Sequence, residues 1–155
     1  MREIKKVRFD GKLLIQYTEF TTDHEDRYTI ECTDNPRQEF REALAALVDD
    51  VVELCEFSEN EKKSLIVYGV TWTYSDKKGE QAGILAKKKL LNSMTLMRLT
   101  TPKKAYDGEN MFDTLKKETV EKLDNLKEEC MRYIDGDRAQ MNLFEPAVED
   151  KQEGA

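Results

Sequence analysis

The chain has 155 residues, of which 39% are hydrophobic and 37% charged, and a net charge of −7. That length suits one domain with room for a tail, and it can fill a modest core. No apolar run nears the roughly 20 residues of a membrane-spanning helix, and the acidic balance argues against wholesale coating of nucleic acid.

Met1-Arg2-Glu3-Ile4-Lys5-Lys6 turns polar and strand-like at once, so no signal peptide is expected, and the chain reads as cytoplasmic. Residues 4–9 predict a short strand. Asp10-Gly11 follows as a hairpin turn, because both residue types tolerate positive φ, and residues 12–20 return as the second strand. After the polar loop Thr21–Asp26, alternation of Tyr28, Ile30 and Cys32 predicts a third strand. Pro36 suits the first turn of a helix capped by Asp34 or Asn35. Phe40, Leu44, Leu47, Val48, Val51 and Cys55 then recur at three- and four-residue steps, predicting one helix that ends near Phe57.

Residues 64–75 form the clearest strand, with Tyr68, Val70, Trp72 and Tyr74 expected on one face. A turn at Asp76–Gly79 leads into a strand from Gln81 to about Leu91. Asn92-Ser93 interrupts it as a bulge, and Thr95–Thr100 resumes it. From Glu109 to Ile134 the spacing of Phe112, Leu115, Leu123, Leu126, Cys130 and Ile134 predicts one helix, about 40 Å long. Gly136 is placed to end it in the left-handed conformation. The expected fold is therefore α+β. About five strands in the order β-β-β-α-β-β-α form a mostly antiparallel sheet with two helices on one face. Residues 1–136 make the domain, and 137–155 have the composition of a flexible tail.

Chemistry-bearing clusters are scarce. Cys32, Cys55 and Cys130 are odd in number and far apart, which suits neither a disulfide framework nor a CxxC metal site. His24 is the single histidine, and Asp23-His24-Glu25-Asp26 lacks ligand spacing, so it reads as a solvated loop rather than a metal site. There is no phosphate-binding glycine loop and no Gly-x-Ser-x-Gly, so neither a cofactor nor a catalytic set is expected.

The charge is unevenly placed. Between Lys77 and Lys104 lie eight basic residues, Lys77, Lys78, Lys87, Lys88, Lys89, Arg98, Lys103 and Lys104, against Glu80 alone. Such a stretch in an acidic chain can contact nucleic acid or another anion, with Lys77, Lys78, Lys87, Lys88, Lys89 and Arg98 as candidates. Its commoner role is to solubilise strands and guard a sheet edge. The Tyr68–Tyr74 stripe offers a base-stacking platform, but aromatic strand residues more often fill a core.

Beyond Gly136, an isolated apolar cluster stands at the border of the polar tail: Gln140-Met141-Asn142-Leu143-Phe144. This pentapeptide resembles the bacterial sliding-clamp-binding motif, which is a glutamine, an aliphatic residue, a small polar residue and Leu-Phe. Met141 and Asn142 depart from the usual second and third residues while keeping their character. The resemblance implies that Gln140 is the polar anchor at a pocket rim, Met141 a secondary contact, and Leu143 and Phe144 the apolar plugs. Burying three such side chains contributes about 1.5–3 kcal/mol each, and ordering the backbone costs about 1–2 kcal/mol per residue. The expected contact is weak and reversible, on the order of micromolar. The alternative is that Leu143 and Phe144 fold back on the domain's own core.

The chain as a whole resembles small proteins of bacterial prophages, chiefly in its Arg-Ala-Gln-x-x-Leu-Phe ending. That resemblance implies a non-enzymatic accessory role near phage DNA replication or recombination. The partners would be the sliding clamp and either DNA or a replication or recombination protein, with no membrane. Two other readings stand beside it: an acidic nucleic-acid mimic that inhibits a host nuclease or defence complex, and a single-stranded nucleic-acid-binding sheet.

Overall fold

The computed structural model describes residues 1–139. It contains strands β1 (Arg2–Asp10), β2 (Lys12–Phe20) and β3 (Glu25–Cys32), then helices α1 (Gln38–Ala45) and α2 (Val48–Leu54). A 3-10 turn (Glu59–Ser64) leads to β4 (Leu65–Ser75), β5 (Gly79–Lys89), β6 (Leu96–Thr100), the short β7 (Lys104–Ala105) and α3 (Lys117–Ile134). The sheet order is β3-β2-β1-β4-β5-β6, with β7 also pairing β5, and every pair of strands is antiparallel. The helices cover one face, over a core that includes Ile4, Val7, Ile15, Val70, Ile84 and Leu123. The α+β architecture is the one expected, with an antiparallel sheet and helices on one side.

The first hairpin follows the turn chemistry: Gly11 sits at φ +81°, where a side chain is unfavourable. Gly136 likewise ends α3 at φ +96°.

Four expectations are corrected. The helix expected over 36–57 breaks at Ala46-Leu47, and neither Asp34 nor Asn35 caps it; Arg37 occupies that position without a side-chain cap. At the break Lys122 Nζ donates to the Ala46 carbonyl at 3.1 Å and to Asp50 Oδ2 at 2.8 Å. Thr119 Oγ1 donates to Asp50 Oδ1 at 2.5 Å. The redirected α2 thus buries Val51 and Val52 and also turns Asp50 into a polar cluster with α3.

Asn92-Ser93 is not a bulge in one long strand. The chain reverses there, so that β6 pairs back on β5 with Lys89 opposite Leu96 and Leu85 opposite Thr100.

The last helix starts at Lys117 rather than Glu109, which shortens it to about 27 Å. Asn110 and Thr114 spend their side chains on local backbone groups: Phe112 N donates to Asn110 Oδ1 at 2.9 Å, and Thr114 Oγ1 to the Asn110 carbonyl at 2.8 Å. Such bonds compete with helix formation. Phe112, expected in the apolar seam, is 77% exposed.

The aromatic stripe does not share one face. β4 carries a register shift between Val67 and Gly69, which makes Tyr68 the extra residue of a bulge. Val70 and Trp72 point into the core, with Trp72 only 2% exposed, and its Nε1 donates to the Tyr106 hydroxyl at 2.8 Å. Trp72 is therefore not available for base stacking. Beside it, Lys127 is enclosed by three rings, its Nζ 5.6 Å from the Trp72 centroid, 5.4 Å from Tyr74 and 5.0 Å from Tyr106. Lys127 also pairs with Glu80, and burial lowers its pKa to about 8.

Candidate functional site

The face of the sheet opposite the helices is uncovered and carries the middle of the basic stretch. On β5 and β6, Lys87 and Arg98 are direct cross-strand partners. Like charges side by side are unfavourable, and Asp10, at the end of β1, offsets them. Its carboxylate accepts from Lys87 Nζ at 2.6 Å and from Arg98 at 2.9 Å. These two bonds hold the Asp10 carboxyl below its usual pKa, the Lys87 bond contributing most. The Tyr68 ring lies beneath both cations, 5.5 Å from Lys87 Nζ and 5.1 Å from Arg98 Cζ. Arg8, Lys12 and Glu31 complete a shallow depression around this group.

The other basic candidates do not join it. Lys88 points the opposite way, over the Phe57 ring, and pairs with Glu61 at 3.4 Å. Lys89 is exposed near the hairpin end. Lys77 and Lys78 occupy the turn at the far end of β5, about 30 Å along the strand from Lys87–Lys89. They meet Lys103 there, but also Asp107, Glu109 and Asp113. The basic stretch is thus several locally compensated groups. Nor do Lys87–Lys89 guard an edge, because β5 lies between β4 and β6.

A second concavity is largely apolar. β1 pairs with β4 only from Lys6 opposite Thr71 to Arg8 opposite Gly69. Since β4 begins at Leu65, its first residues extend past the end of that pairing. The opening between the two strands forms a groove of about 740 Å³. Phe9, Leu44, Val48 and Ile66 line it, with Arg41 and Lys63 among the residues at its margin.

Comparison with family models, with curated proteins and with solved structures finds no match. Function must therefore be argued from the chain itself.

Of the peptide residues singled out in the sequence, Gln140, Met141, Leu143 and Phe144 lie outside the described residues. The structure does place the point from which they depart. Arg138 donates to Asp34 Oδ2 at 2.9 Å and stacks over the Tyr133 ring at 4.2 Å. Ala139 N donates to the Asn35 carbonyl at 2.9 Å. Asp34 and Asn35, expected to cap α1, instead hold the end of the described chain. The roles of Asp10, Tyr68, Arg41 and Ile66 were missed in the sequence. The only signal was Asp10, read as a turn residue, whose carboxylate finds its cations at 77 positions' separation.

No helix among the described residues is long and apolar enough to cross a membrane. His24 stands in the β2–β3 loop, its Nδ1 3.1 Å from Thr21 Oγ1. Cys32, Cys55 and Cys130 are free thiols.

Proposed function

We propose that this protein is a non-enzymatic accessory factor of phage-type DNA replication or recombination, acting in the cytoplasm of a bacterial host. It docks on the sliding clamp through Gln140, Met141, Leu143 and Phe144. The observation that carries this reading is where the pentapeptide stands. It begins one residue beyond Ala139, the last anchored position, on a body whose apolar core runs from Ile4 to Tyr133. A peptide so placed is tethered at the surface, and the body does not need it to close the core. Weak affinity, on the order of micromolar, suits a reversible tether to a shared hub.

Internal pairing of Lys87, Lys88 and Arg98 with Asp10 and Glu61 counts against the open face as a nucleic-acid surface of high affinity. The sliding clamp accordingly takes first place among the partners, ahead of DNA.

The test is co-migration of the full chain with a bacterial sliding clamp, beside a Leu143→Ala, Phe144→Ala double variant. The wild type should co-migrate and the double variant should not, while both melt within a few degrees of each other. Equal behaviour towards the clamp, or a variant that fails to fold, overturns the reading.

A further inference from the structure

We infer that the groove between β1 and β4 is the intramolecular docking site of the chain's own residues Met141–Phe144, taken up in extended form. Four features converge on that occupant. The first is backbone chemistry. Residues Leu65–Tyr68 lie beyond the last β1–β4 pair, so β4 presents an open strand edge to the groove. Such an edge accepts an added strand, whose main chain supplies hydrogen bonds and whose alternate side chains enter pockets. In an extended peptide Met141 and Leu143 fall on one side, with Asn142 on the other. That alternation matches an apolar floor of Phe9, Leu44 and Val48 with solvent above.

The second feature is reach. Ala139 N is bonded to the Asn35 carbonyl, and Asn35 Oδ1 accepts from Arg41 at 3.3 Å. Arg41 in turn stacks 5.0 Å over the Phe9 ring, and both residues line the groove. Two to five extended residues beyond Ala139 span about 7–17 Å, so Met141–Phe144 come level with it.

Charge is the third. Arg41 and Lys63 stand at the groove without a carboxylate partner among the described residues. The segment after Phe144 carries Glu145, Glu149, Asp150 and Glu153 against Lys151 alone. The fourth is composition: an apolar cluster followed by acid is what an apolar slot with a basic margin selects.

The docking is weak enough to exchange, and the groove shelters apolar side chains that would otherwise stand in water. One consequence rests on the clamp reading: groove and clamp compete for the same side chains. The apparent clamp affinity is then reduced by the undocked fraction.

Hydrogen exchange on the full chain tests the docking directly. In the Leu143→Ala, Phe144→Ala variant, amides of Leu65–Tyr68 should exchange severalfold faster than in the wild type. Ala45→Trp, which fills the groove from an exposed position on α1, should also release the tail, seen as faster exchange of the amides of Met141–Phe144. Unchanged rates in both variants overturn the proposal. Protection that grows with protein concentration also overturns it, because a second copy's tail would then be the occupant. The clamp provides a separate arm: Ala45→Trp should bind it severalfold more tightly than the wild type. If no variant binds the clamp, the function reading fails while hydrogen exchange still decides the docking.

Discussion

Lys87 and Asp10 stand at opposite ends of a 2.6 Å ion pair that joins β5 to the tip of the first hairpin. Arg98 closes the same carboxylate from β6, so one acid on β1 neutralises two cations two strands away. Asp10→Asn should leave Lys87 and Arg98 repelling each other. The Asp10 side chain is 35% exposed, so solvent screening limits the expected loss to about 1 kcal/mol at pH 7. The folded-state pKa of Asp10 lies below the ordinary 3.8. Its contribution is therefore present above that ordinary value and is lost as pH falls through the folded value. Urea titrations of both proteins should differ at pH 7 and converge near pH 2–3; a difference unchanged at acid pH would contradict the assignment. The same variant frees two cations on the open face and should bind an oligonucleotide severalfold better at low salt, read by fluorescence polarisation.

Gly69 makes the closest approach in the sheet. A Cβ there would lie 2.3 Å from the Val7 carbonyl oxygen and 3.0 Å from Leu85 Cδ1. The first neighbour is backbone of a paired strand and cannot swing aside. Gly69→Ala should cost about 2–4 kcal/mol and lower the melting temperature by about 5–10 °C. Gly83, whose Cβ would meet nothing nearer than 3.3 Å, is the control and should lose much less.

Lys127 gives the stability curve a distinctive alkaline limb. Burial among Trp72, Tyr74 and Tyr106 lowers its pKa from 10.5 to about 8, although Glu80 and Glu3 face it. Between those values the unfolded chain holds a proton that the folded chain has released, so stability rises with pH there. Above about pH 10 the slope reverses, because burial keeps the Tyr74 and Tyr106 phenols protonated in the folded state. Relative to Lys127→Met, the wild type should gain about 1–3 kcal/mol from pH 7 to pH 10, measured by chemical denaturation. Parallel pH profiles for the two proteins would show that Lys127 is not the titrating group.

These features differ in how far the sequence reveals them. Strand alternation through Val7, Ile15, Val70 and Ile84 was legible because burial on one face imposes a period of two. The Asp10-Gly11 turn and the Gly136 helix end were legible because each needs a positive φ. The bulge at Tyr68 was not, since one inserted residue flips a face without changing composition. Phe112 fitted the helical spacing, yet Asn110 and Thr114 hold that segment in local turns and leave the ring exposed. At the candidate site the basic residues were visible and their partners were not. The carboxylates that neutralise Lys87 and Lys88 come from β1 and from the turn before β4, and only the folded register brings them near. Gln140, Met141, Leu143 and Phe144 were legible as a motif and lie outside the described residues.

The break between α1 and α2 rests on a polar cluster that can be dissected. Asp50 is 7% exposed and accepts from Thr119 at 2.5 Å and Lys122 at 2.8 Å, while Lys122 also satisfies the freed Ala46 carbonyl. Removing the acid strands a buried hydroxyl and a partly buried ammonium, so Asp50→Ala should cost about 2–4 kcal/mol. Thr119→Val keeps the shape, loses one hydrogen bond to a charged acceptor, and should cost about 1–2 kcal/mol. If the three groups act as a unit, the double variant should lose less than the sum of the singles, with a coupling of about 1 kcal/mol or more. Strict additivity in that cycle would mean that the helix break is held by packing of Leu47 and Val51 alone.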